Sequence, residues 1–121
     1  MFREEFYTID SQVIEENSAD FVVRWNASHP IFSGHFPGDP VTPGVCIVQT
    51  ACNLVGLLLQ RPVHVYGVKN AKFMQIIRPG EHPVIHFRLE IDVTDENFTN
   101  RVKCSVYHED KQFVKLDFTV K

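Results

Sequence analysis

His35 is the residue best placed for proton transfer. It lies in Phe32-Ser-Gly-His-Phe-Pro-Gly-Asp-Pro40, a stretch stiffened by proline and apolar at its flanks. An imidazole with an ordinary pKa of about 6.5 suits a general base at neutral pH. Burial in such a loop keeps it neutral. The same surroundings would serve a core histidine bonded to backbone, so residue type alone leaves both roles open. Just downstream, Pro43-Gly44-Val45 opens an apolar run. A helix beginning there offers unbonded N–H groups and the positive end of its dipole, a natural site for a carbonyl oxygen that gains negative charge. Gly44 permits close approach of a substrate, or equally close packing of helix against loop.

The other chemistry-bearing residues point elsewhere. His82 and His86 have the spacing of a helical zinc pair, but on a strand four residues span about 13 Å, too far to share one ion. His29, His64 and His108 have no partner at a diagnostic spacing and read as surface or packing residues. Cys46, Cys52 and Cys104 are odd in number and show no C-x-x-C pattern, which fits structural thiols in a reducing compartment. No charge that would stabilise a thiolate is identifiable near Cys46 or Cys52. No motif implies a metal or an organic cofactor.

These residues need elements to hold them. Segment 21–26 reads as a strand, from Phe21-Val-Val-Arg-Trp25, and part of 4–16 as an earlier strand or a short lead-in. Segment 29–43 is rich in Pro and Gly, too irregular for a helix or regular strand and too apolar for a linker. Thr42 and Pro43 read as an N-cap followed by proline at the first helical position. From 41 to 60 there is no charged residue, and apolar side chains occur all round the helix, which argues for burial. The helical part of the run, which begins at Pro43, is shorter than the roughly 20 residues a bilayer span requires, and it carries Gln49, Thr50 and Asn53. Strand-like segments then recur at 63–77, 82–93, 98–108 and 112–120, with breaks at Arg78-Pro-Gly80, Thr94-Asp-Glu-Asn97 and Glu109-Asp-Lys111. In the last, Phe113, Lys115, Asp117 and Thr119 alternate with Val114, Leu116, Phe118 and Val120. One long greasy helix and a series of antiparallel strands predict an α+β fold, a sheet curled around that helix.

At 121 residues the chain has the size of one domain and needs no disulfides to build a core. A net charge of −3 argues against binding by neutralising many phosphates. Arg61, Lys69, Lys72 and Arg78 are close in sequence and form a candidate patch for an acidic carrier protein, or a solvated surface. The start MFREEFYTID has no apolar leader core, which makes the cytoplasm the expected location.

The run Phe32-Ser-Gly-His-Phe-Pro-Gly-Asp-Pro-Val-Thr-Pro-Gly-Val45, with Ile47-Val-Gln-Thr-Ala51, resembles the active-site loop and central helix of the 3-hydroxyacyl-acyl carrier protein dehydratases. Gly67-Val-Lys-Asn-Ala-Lys-Phe73 and Arg78-Pro-Gly-Glu81 resemble that family's second block. The resemblance implies a hot-dog fold, a homodimer or heterodimer (or a trimer of dimers), and an acyl tunnel at the subunit interface. It implies His35 as the base, with Gly44 at the oxyanion. The carboxylate that handles the leaving hydroxyl falls at Gln49, whose amide cannot give up a proton. Phe36, Pro43, Val45 and Phe73 become substrate-binding residues. The family's N-terminal H-R-x-P-F-L segment is missing. The implied function is dehydration of a β-hydroxyacyl chain on an acyl carrier protein or coenzyme A. Replacement of the acid by Gln49 keeps two alternatives open, an acyl-thioesterase and a non-catalytic acyl-binding or heterodimer subunit.

Overall fold

A computed structural model describes residues 6–35, 41–92 and 99–121. Among the described residues the elements follow in the order β1 (Tyr7–Ile14), β2 (Ser18–Trp25), α1 (Pro30–His35), α2 (Gly44–Leu59), β3 (Val65–Phe73), β4 (Val84–Asp92), β5 (Asn100–His108) and β6 (Lys111–Val120). The strands form one sheet ordered β1-β2-β4-β5-β6-β3, every neighbour antiparallel. This is the expected α+β arrangement.

Alternation decides which face of the sheet meets α2. Ala19, Phe21, Val23 and Trp25 of β2 are buried, as are Ile85, Phe87, Leu89 and Ile91 of β4 and Val102, Cys104 and Val106 of β5. The intervening Asp20, Arg24, His86, Arg88, Glu90 and Lys103 face outward, as period-two patterning requires. From α2, Cys46, Ile47, Ala51, Leu54 and Val55 complete the core. Among the described residues, no helix is long and apolar enough to cross a membrane.

Four expectations need correction. Segment 29–43 contains a helical turn and a half, α1, because Ile31 and Phe32 have a core to pack on: Phe32 stacks on Phe6 at 5.1 Å and meets Trp25 edge-on. The N-cap of α2 is Pro43, in extended backbone (φ −62, ψ 144), with no side-chain cap bond. Thr42 stands one position too early to cap, and its amide is instead spent on Ile77 O at 2.8 Å. Phe113 does not share the exposure of Lys115; it is fully buried, because the β5–β6 register shifts between Val106 and Tyr107 and the extra residue turns its side chain inward. Finally, α2 is not covered on all sides. Val45 is 76% exposed and Leu57 39%, with Gln49 and Gln60 on the same uncovered stripe.

Candidate functional site

The sheet end at which β2 finishes and β4 begins gathers the segments that matter. Trp25 donates its amide to Pro83 O at 2.9 Å, and the Phe6–Trp25–Phe32 cluster pins α1 across this end. His35 is the last residue of α1. The aromatic cluster is thus what holds the backbone leading to it. Phe36 lies outside the described residues.

The N-terminus of α2 faces β3. A Cβ built on Gly44 would sit 3.1 Å from Cζ of Phe73, so glycine lets this ring approach the opening turn. Gly44 and Phe73, far apart in sequence, are therefore brought together. No side chain caps the helix, and the Cys46 amide donates to Pro43 O at 3.0 Å, so the N–H groups of Gly44 and Val45 are the ones left to an acceptor. Thr42 is only 6% exposed, and its hydroxyl has no hydrogen-bond partner among the described residues. Pro43 is half-buried beside it, while Val45 points off the uncovered stripe.

Gln49 is exposed on that stripe, and its Nε2 donates to Asn53 Oδ1 one turn later at 2.9 Å. The bond leaves Oε1 of Gln49 free to accept from a hydroxyl, but no group of this pair titrates near neutral pH. Further along the same side of α2, Asn53, Gly56, Leu57, Gln60, Arg61 and Pro62 border a cleft of about 560 Å³. Cys46 and Cys52 are buried free thiols, and burial raises both pKa values, which suits core-fillers rather than nucleophiles.

The histidines separate as strand geometry predicts. His86 faces outward from β4, with Nδ1 2.8 Å from Asp20 Oδ1 and its ring stacked on Tyr107 at 4.8 Å. Tyr107 also donates its hydroxyl to Asp20. Burial first, then this hydrogen bond, pushes the Tyr107 phenol up to about 12. His82 precedes β4 and packs against His108 (5.7 Å) and Phe113 (4.9 Å). His29 accepts the Ile31 amide at 3.1 Å. Among the described residues, no group of three His, Cys, Asp or Glu side chains could hold a metal ion. The Asn53 partner of Gln49 and the Asp20–His86–Tyr107 network were not anticipated. The first had a signal, the i, i+4 spacing of two amides on one helix; the second joins three strands and had none.

The sequence model of the ApeI-like family, described as ApeI dehydratase, matches residues 11–115. The chain is similar to a 3-hydroxyacyl-[acyl-carrier-protein] dehydratase FabZ from Lactobacillus helveticus, 30% identical over 95 residues that cover 73% of this chain and 62% of that protein. The chain spans less than two thirds of the length of this and other curated relatives it matches. An uncharacterised protein from Erwinia carotovora subsp. atroseptica superposes with TM-score 0.73 at 16% identity, covering 96% of each chain. The dehydratase heterocomplex ApeI:P from Xenorhabdus doucetiae superposes with TM-score 0.69 at 16% identity, covering 94% of this chain and 96% of that one. At such identities the two structures establish the shared hot-dog fold.

Proposed function

The chain belongs to the ApeI-like dehydratase family, and from that premise we propose that it is a hydro-lyase removing water from a β-hydroxyacyl thioester carried by an acyl carrier protein. The observation that carries this reading is the family match over 11–115, which encloses His35, Gly44, Gln49 and Phe73 with the Gly-His-Phe-Pro motif intact. His35 takes the α-proton. The electron pair moves onto the thioester oxygen, held by the free N–H groups at the start of α2 next to Gly44. The β-hydroxyl then leaves as water, and its proton comes back from the His35 imidazolium, because Gln49 has none to give. Gln49, oriented by Asn53, holds the hydroxyl through Oε1. Phe36, Pro43, Val45 and Phe73 line the approach of the acyl chain.

In this reading the chain forms one hot-dog domain that works as a homodimer in the cytoplasm. The uncovered stripe of α2 and the free edge of β3, where Tyr66 is 65% exposed, support a second copy seated there and supplying Gln49 to the other site. The absence of an acid at Gln49 favours one further reading, in which a related subunit bearing Glu or Asp completes the site.

The test follows the enoyl absorbance of a crotonyl or short β-hydroxyacyl thioester. Wild-type turnover that falls by about 10² or more in His35→Ala supports the hydro-lyase. A Gln49→Glu variant then gains up to about 10²–10⁴, the range for one general acid. Release of free thiol without enoyl formation would mean a thioesterase instead. A silent wild type that recovers only with an acid-bearing subunit would mean the heterodimer.

A further inference from the structure

Tertiary structure regroups the cations that sequence proximity had placed together. Arg61 donates to Asn100 Oδ1 at 2.9 Å, at the start of β5. Lys69 and Lys72, by contrast, meet Lys103 and Lys115 on the outer face of the sheet. The register sets Arg88 opposite Ser105, Ser105 opposite Lys115, and Lys115 opposite Lys72, a row that meets a carboxylate only on β2, where Asp20 lies opposite Arg88. In the next row Glu90, Lys103, Asp117 and Asn70 lie opposite one another in turn. The carboxylates of that second row have their own partners: Asp117 is held by Arg101 at 2.8 Å, and Glu90 lies 3.8 Å from Arg88. Lys69, at the register shift of β3, and Lys103, opposite Asp117, both help lower the Asp117 pKa, after Arg101. All four lysines are exposed, and none enters an ion pair among the described residues.

Like charges directly opposite on neighbouring strands are destabilising. The Lys72–Lys115 pair therefore carries a folding cost that an anionic partner would reverse. The rows border a shallow depression of about 280 Å³ on this face. They also reach the end of β3 nearest the proposed site: Lys72 is followed by Phe73, whose side chain turns to the opposite face and packs on Gly44.

We propose that the outer face formed by β5, β6 and β3 is the docking surface for an acidic protein partner, namely the carrier protein that delivers the thioester. The inference rests on the dehydratase reading for the identity of the cargo, but the surface itself is testable without turnover. Coenzyme A carries phosphates that these lysines would also attract, so an uncharged pantetheine thioester is the control for the site.

The experiment compares the wild-type protein with the Lys103→Glu/Lys115→Glu double variant, using 3-hydroxybutyryl on an acidic holo-carrier protein and the same acyl group on pantetheine. Charge reversal raises KM for the carrier-linked substrate about tenfold or more, leaves kcat and the pantetheine reaction unchanged, and abolishes the salt dependence of the wild type. An unchanged carrier KM, or equal loss with both substrates, overturns the proposal. If neither substrate is turned over, the dehydratase reading fails, and titration of the holo-carrier against both proteins decides this one. Affinity weakened by charge reversal sustains the surface; equal or undetectable binding overturns it. Lys115→Glu alone raises the melting temperature by removing the repulsion with Lys72, which separates lost docking from lost folding.

Discussion

Two residues at the start of α2 test how the proposed oxyanion site is built. The Thr42 hydroxyl is buried with no partner among the described residues, a condition that typically costs about 1–3 kcal/mol. Thr42→Val keeps the shape and removes the hydroxyl, so urea unfolding shows equal stability or a gain of up to about 1 kcal/mol if the hydroxyl is idle. A loss of turnover at unchanged stability assigns the hydroxyl to the substrate instead. Gly44→Ala puts a methyl 3.1 Å from the Phe73 ring. The ring is half-exposed and able to shift, so stability falls by less than about 1.5 kcal/mol while KM rises. Adding Phe73→Leu recovers KM, and the double-mutant cycle measures the coupling between the two positions.

At the scale of elements, strain and cross-strand bonds give separate readouts. Helix α2 ends on Gln60 in the left-handed region (φ 58, ψ 38), while Arg61 N–H bonds Gly56 O at 3.1 Å. Glycine meets no penalty in that conformation, and Gln60→Gly stabilises by about 0.5–1 kcal/mol in thermal or urea melts. On the outer face, Tyr107 and His86 tie β5 and β4 to Asp20 of β2. The phenol is raised from 10.0 to about 12, so its protonated form is favoured by folding. That contribution is fully present below the unfolded value near 10 and is lost as pH rises through the folded value. Tyr107→Phe is therefore less stable than wild type at pH 7, and the gap between them narrows from pH 10 to 12.

For the whole molecule, the proposed dimer rests on the uncovered stripe of α2 and on β3, an edge strand among the described residues. Leu57→Glu places a charge on that stripe, away from the lysine face; under the dimer proposal light scattering then reports a monomer that still unfolds cooperatively and has lost turnover. An unchanged mass would place the interface elsewhere. The sequence by itself determined the class of fold, since the alternation of Lys115, Asp117 and Thr119 with Val114, Leu116, Phe118 and Val120 and the uncharged run of α2 are local patterns that report burial. It also marked the Gly-His-Phe-Pro histidine and Gly44, because motif spacing lies within one segment. Only the tertiary structure decided that Thr42 does not cap, that Phe113 turns inward at a bulge, that one stripe of α2 stays open, and that Lys69 and Lys72 join Lys103 and Lys115 rather than Arg61. Each of these depends on strand register or on contacts between residues far apart in the chain, such as Asp20 with His86 and Tyr107. Register is set by how whole strands pair and pack, and no window of neighbouring residues encodes it.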